Sequence, residues 1–273
     1  MILIFGYGTV GNAVHLLFEE TGEGDFRVFV EDPKHQYKVS DVIIKHSKPK
    51  TLAVICVDAP FTEDAGYDTS NVCAVLRRLS DNKFKGLVLI KTTLFPHQIG
   101  TLLKTFSDLN IAVWPEFLSE ATADEDILNQ PVLFGGDLKQ LQILKKYLPS
   151  GKFTQRVKPE EAMQIKLLWN LYGATKVSFW HSMYNSGFYT PNVKNKWEIW
   201  TSVFPQGDLN ALKQDGQYGY GGKCFPKDVL AYLEVFKNPF IETMDKMNAV
   251  MRYGSTAMKR DFVNSKTVKA LPK

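Results

Sequence analysis

The sequence predicts an α/β fold: a doubly wound parallel sheet followed by a smaller, mainly helical domain. Three observations point there. Short apolar runs alternate with longer amphipathic stretches through the first half of the chain. A cluster of glycines separates the first run from the first amphipathic stretch, and from about Lys158 the strand signal stops.

The expected strands are Ile2–Phe5, Arg27–Val30, Thr51–Cys56, Gly86–Ile90, Ile111–Trp114 and Val132–Gly135. Each is a run of Val, Ile, Leu and aromatic residues short enough for a strand buried on both faces. Between them Asn12–Glu20, Thr69–Leu79, Gly100–Ser107 and Leu138–Tyr147 carry apolar residues near helical spacing. Pro159–Tyr184 then reads as one long helix, with proline at its start and glutamates in its first turn. The stretch Asn185–Lys223 is rich in Gly, Asn, Gln and aromatic residues, and Pro226 opens a further helix through the 230s. The expected organisation is a first domain over 1–153, a helical domain over 154–262, and a loosely ordered polar tail over 263–273.

The segment Ile2-Leu-Ile-Phe-Gly6-Tyr7-Gly8-Thr9-Val10-Gly11 places three glycines directly between a strand and a helix. Gly6 permits the tight turn, Gly8 lets a pyrophosphate approach the backbone, Gly11 lets helix and strand pack closely, and the helix start offers free amides to the anion. Asp32, with Glu31 beside it, falls about 20 residues beyond Gly11, where a carboxylate binds the ribose hydroxyls of NAD and repels a 2′-phosphate. The first domain is therefore expected to be of Rossmann type with NAD as cofactor. An ordinary glycine turn followed by solvated acids is the competing explanation.

A formal charge of +4, with Lys and Arg spread along the chain, gives no support for nucleic-acid binding. No apolar stretch approaches the ~20 residues of a membrane helix. The opening Met1–Phe5 run lacks the length and basic leader of a signal peptide. Three cysteines form no disulfide framework, so a reducing, cytoplasmic location is expected, and no metal site is expected.

Further residues carry chemistry. Cys224 lies between a glycine-rich loop and a helix start, flanked by Lys223 and Lys227, where a thiolate is stabilised; an inert buried cysteine is the alternative. Lys166 and Asn170, four apart, project from one face of an apolar helix, so Lys166 either finds a partner or snorkels to solvent. Glu116 and Glu120 share that spacing after Pro115, and on a helix both would look into one space.

Together with Val57-Asp-Ala-Pro60, Lys91-Thr-Thr93-Leu-Phe-Pro96, Pro115-Glu-Phe-Leu-Ser-Glu120, Lys166-Leu-Leu-Trp-Asn170 and Gly219-Tyr-Gly-Gly-Lys-Cys224-Phe-Pro-Lys-Asp228, the chain resembles the UDP-glucose/GDP-mannose dehydrogenase family. The resemblance implies a two-step oxidation of a sugar primary alcohol to a carboxylate through a thiohemiacetal and a thioester on Cys224. It implies oxyanion stabilisation by Lys166 and Asn170, water activation by Asp228, Glu116 and Thr93, and cofactor contacts from Val57, Pro60, Thr93 and Glu120. It also implies a homodimer formed through the long helix, whose Trp169, Tyr172, Phe179 and Trp180 suit an interface. Departures are Trp114 in place of Asn, Lys223 in place of Ser, no Arg across Phe204–Asp215, and a chain that ends soon after Arg260, a short form without the carboxy-terminal nucleotide-sugar domain. A two-electron hydroxyacid dehydrogenase of the 6-phosphogluconate type and a non-catalytic NAD-binding relative are the rival expectations.

Overall fold

The computed structural model describes residues 1–20, 28–62, 66–119, 121–188, 190, 192–193, 195–197, 220, 226, 229–230, 233 and 237–253. It divides into two compact units, Met1–Leu171 and Tyr172–Lys273.

The first unit is built on β1 (Ile2–Phe5), α1 (Thr9–Glu20), β2 (Val28–Glu31), α2 (Asp41–Lys45), β3 (Leu52–Ile55), a small hairpin β4 (Phe61–Thr62) and β5 (Gly66–Tyr67), and α3 (Ser70–Asp81). It continues through β6 (Leu87–Ile90), α4 (Pro96–Thr105), β7 (Asn110–Val113), α5 (Ala123–Asn129), β8 (Val132–Gly135), α6 (Leu138–Lys145), β9 (Thr154–Val157) and the start of α7 (Pro159–Asn185). Seven strands form one sheet in the order β2-β1-β3-β6-β7-β8-β9. The first five are parallel in register. The sheet is not parallel throughout, because β8 meets β7 antiparallel at Val113 and Gly135, and β9 then pairs parallel with β8.

Alternation along the strands separates two cores. Leu3, Phe5, Ala53, Ile55, Val88 and Ile90 face a cluster with Ile44 of α2, Leu76 of α3, Ile99 of α4 and Met163 of α7. Ile2, Ile4, Leu52, Val54, Leu87 and Leu89 face the other cluster, with Leu17 of α1, Ile127 of α5 and Leu144 of α6. Helices thus cover both faces, as a sheet of continuous Val/Leu/Ile strands requires.

All six expected strands are present within a residue or so. The strand over 154–157 was not expected: Thr-Gln-Arg-Val carries no apolar signal, and its central residues are exposed at the sheet edge. Because β9 completes this sheet and Ala162 and Met163 enter its core, the first unit runs to Leu171, beyond the expected boundary at 153.

In the second unit, α7 continues to Asn185 and α8 spans Pro239–Tyr253. Phe179 meets Phe240 edge-on at 6.4 Å between ring centres. Residues 226, 229, 230 and 233 are helical, where Pro226 was expected to start a helix. The polar tail 263–273 lies outside the described residues.

Candidate active site

The parallel strands β1, β2, β3, β6 and β7 all point their carboxyl ends to one edge of the sheet, the place where open α/β sheets bind ligands. After β1 the chain turns at Gly6, whose φ of 91° lies in the left-handed region. A Cβ there would stand 2.7 Å from the Cys56 carbonyl oxygen, and one on Gly11 would stand 2.0 Å from the Gly6 carbonyl oxygen. A Cβ on Gly8 would meet nothing within 4 Å. Two glycines thus close the strand–helix junction and the third leaves an open approach, with Thr9 and Val10 at the start of α1 above it. Asn12 Nδ2 pins the loop by donating to the Tyr7 and Gly8 carbonyls at 2.8 and 3.1 Å.

A cavity of about 370 Å³ opens here, lined by Gly6, Tyr7, Gly8, Asp32, Val57 and Asn71 among others. The Asp32 carboxylate, 7% exposed, accepts from the Tyr7 amide at 2.7 Å and the Lys34 amide at 2.8 Å. Glu31 lines the same cavity, but its carboxylate is engaged by Arg78 at 2.5 Å and by the Val39 amide at 2.9 Å. The two acids are therefore distinguished: Asp32 presents a fixed negative group at the mouth, whereas Glu31 fastens β2 to α3. The open glycine, the helix start and the carboxylate fit a dinucleotide without a 2′-phosphate, that is NAD. Pro60 sits outside the lining residues, on the loop whose carbonyl accepts from the Asp68 amide at 2.8 Å. Tyr7 also binds His15, 2.7 Å from hydroxyl to Nδ1, a contact that no motif announced.

At the same edge of the sheet, residues that follow β6 and β7 meet α7. Lys166 is only 4% exposed, so it does not snorkel. Its Nζ stands 3.0 Å from Glu116 Oε1, donates to Asn170 Oδ1 at 3.0 Å, and lies 5.4 Å from the centre of the Phe117 ring. Glu116 Oε2 accepts from the Leu118 amide at 2.7 Å. That contact belongs to a non-helical segment: residues 115–119 form no helix, and α5 starts only at Ala123, where Asp126 accepts from the Ser119 amide and the Thr122 hydroxyl. The helical spacing considered for Glu116 and Glu120 therefore does not apply, and Glu120 lies outside the described residues.

Thr93 is partly buried just beyond β6, while its neighbour Thr92 donates to the Val57 carbonyl at 2.7 Å. Lys91, which opens one of the motifs but carries no expected role, is 1% exposed with its Nζ 4.0 Å from the centre of the Trp114 ring. Burial lowers its pKa to about 8 against opposition from Cys56 and Glu116. Burial likewise pushes the Cys56 thiol up to about 12. The structure thus brings Glu116, Lys166 and Asn170 together and adds Lys91. Lys223, Cys224, Lys227 and Asp228 lie outside the described residues. Tyr220, just before that glycine-rich loop, is tied to α8 by both its amide and its carbonyl, at 2.7 and 3.1 Å from the Asn248 side chain, and by its hydroxyl to Asp245.

Among the described residues no group of acids, histidines and cysteines is placed to hold a metal, and no helix is long and apolar enough to cross a membrane. No family profile matches the chain. A curated protein from Campylobacter jejuni, "UDP-glucose 6-dehydrogenase", is 24% identical over 269 residues, covering 87% of this chain and 68% of its own length. Another of that name, from Rickettsia bellii, is 30% identical over 231 residues, covering 80% of this chain and 52% of its own. The chain thus spans between about half and two thirds of these relatives. The solved structure of a GDP-mannose dehydrogenase ternary complex from Pseudomonas aeruginosa superposes with a TM-score of 0.68 at 19% identity, covering 92% of this chain and 68% of that one, and shares the fold.

Proposed function

We propose that this chain, a relative of the UDP-glucose and GDP-mannose 6-dehydrogenases over most of its length, is an NAD-dependent dehydrogenase that oxidises a sugar primary alcohol to a carboxylate through Cys224. The observation that carries this reading is the buried Lys166, held between Glu116 and Asn170 at the same sheet edge as the dinucleotide cavity.

When bound, NAD accepts a hydride in each of the two oxidations. The chain's own residues do the rest. The alcohol loses a hydride and a proton to become an aldehyde, and the Cys224 thiolate adds to its carbonyl carbon. Lys166, with Asn170 orienting it, donates to the oxygen that gains charge; one such donor is typically worth ~10²–10³-fold in rate. After the second oxidation a water hydrolyses the thioester, releasing the acid and the free thiol. Glu116, Asp228 and Thr93 serve to hold that water and take its proton. The substrate is a sugar, nucleotide-linked by analogy with the relatives' names, and the active form is a homodimer in a cytoplasmic setting. Exposed Ile165, Leu168, Trp169 and Leu171 on α7 support an interface there.

NADH formation at 340 nm over a panel of UDP- and GDP-sugars, simple sugars and aldehydes tests the reading. Two NADH per acid formed are expected, with loss of turnover in C224S and after iodoacetamide. The protonated Cys56 thiol is a poor target for that reagent, and C73S with parental sensitivity to it removes Cys73 as the reacting thiol. One NADH per substrate, resistant to alkylation, would replace this reading by a two-electron hydroxyacid dehydrogenase. NAD binding without turnover would make the chain non-catalytic.

A further inference from the structure

Lys91 belongs to no step above, yet it is the most completely buried amine among the described residues. It leaves the end of β6 between two places the site depends on. On one side its amide donates to the Ile55 carbonyl at 3.0 Å, next to Cys56 of the dinucleotide cavity, and on the other its side chain lines a small cavity with Glu116, the partner of Lys166. Its ammonium rests on the face of Trp114, the residue that stands where the resembling family has Asn, in the geometry of a cation–π contact. Below lies a cavity of about 20 Å³, room for one water, lined by Lys91, Trp114, Glu116 and Lys152.

Four titratable groups act on Lys91. Cys56, at the end of β3, keeps its proton and carries no charge at neutral pH. Lys152, before β9, donates to the Ile127 and Leu128 carbonyls at 2.9 and 2.5 Å and so serves the carboxyl end of α5. Glu116 attracts Lys91 and Lys166 of α7 repels it. Two buried lysines therefore flank one carboxylate, Lys166 in contact with it and Lys91 lining the same small cavity. With Lys166 alone the pair would be neutral, and a developing oxyanion would have to compete with Glu116 for the Lys166 proton donors.

We propose that Lys91 is a positioning residue that supplies the uncompensated positive charge of this cluster, freeing Lys166 to meet the oxyanion. The charge is fixed in place before substrate arrives, in surroundings where electrostatic preorganisation has most effect. The inference rests on the dehydrogenase reading for its catalytic consequence, but not for the existence of the cluster.

Two measurements test it. The first needs no substrate: the protein is labelled with 5-fluorotryptophan, the Trp114 fluorine line is assigned with W114F, and its shift is followed with pH. A titration with a midpoint near 8 is expected from Lys91. It should move to lower pH in E116Q, which removes the attracting charge, to higher pH in K166M, which removes the repelling one, and vanish in K91M. A flat line in the parent protein, or a midpoint indifferent to both substitutions, overturns the cluster.

The second measurement is the pH dependence of kcat and KM. K91M should lower kcat by on the order of 10²-fold with little change in the sugar's KM, as for loss of a transition-state donor. The parent kcat should fall above pH 8, and K91R, permanently charged, should restore activity and abolish that fall. A K91M enzyme with parental kcat, or K91R no better than K91M, overturns the proposal. Absence of turnover in the parent protein itself would instead overturn the dehydrogenase reading, and the fluorine titration tells the two failures apart.

Discussion

At the residue scale, the price of the site is paid at Lys91. Its pKa near 8 in the folded chain, against an ordinary 10.5, means that burial disfavours the charged form despite Trp114 and Glu116. Between those two pH values the unfolded chain binds more protons than the folded one, so stability rises with pH across that window. Below pH 8 both states are charged and the penalty, on the order of 3 kcal/mol, is present in full. Lys91→Met should therefore raise the melting temperature at pH 7 while slowing turnover, and a lower melting point in a calorimetric scan would contradict this account. Asp32 was legible in the sequence because its distance from Gly11 carries the information. Lys91 was not, because nothing local distinguishes a lysine after a strand from a solvated one. Its burial is made by Trp114 and Cys56, which arrive from other strands.

At the element scale, strands buried on both faces wrote themselves into the sequence as uninterrupted Val, Leu and Ile, and they were located closely. Elements fixed by side-chain hydrogen bonds to the preceding loop were harder to see. α5 starts at Ala123 because Asp126 gathers the Ser119 amide and the Thr122 hydroxyl, which leaves Pro115 to Ser119 free to aim Glu116 at Lys166. α8 falls in the expected helical domain without having been delimited, and it has a task that the motif before it does not reveal: the Asn248 side chain holds the Tyr220 amide and carbonyl just ahead of Cys224 in the sequence. In Asn248→Ala the Tyr220 amide and carbonyl lose these partners at a cost of about 1–3 kcal/mol. The rate of Cys224 alkylation, followed by mass spectrometry, should change while NAD affinity, governed by the first unit, stays as it was. An unaltered alkylation rate would mean that the anchor does not act on the loop.

At the scale of the whole molecule, the two compact units divide within α7, because the same helix begins by packing Ala162 and Met163 into the core of the sheet and goes on into the second unit. Its exposed residues in the first unit, Leu168 and Trp169, are the surface on which the proposed dimer depends. Leu168→Lys, in sedimentation velocity runs over a range of concentrations, should shift the protein toward the monomer. A parent protein that is monomeric at every concentration, or a variant that associates as strongly, would remove α7 as the interface. The other exposed border has the opposite character. β9 closes the sheet with Gln155 and Arg156 turned to water, and Arg156 reaches back to the Gly136 carbonyl at 3.2 Å. A neighbouring molecule that tried to extend the sheet there would have to strip water from a guanidinium and receive little in return. Crowded copies of this chain are thereby steered away from fibre-like growth along that border, and whatever association they do undergo is left to surfaces made of helix.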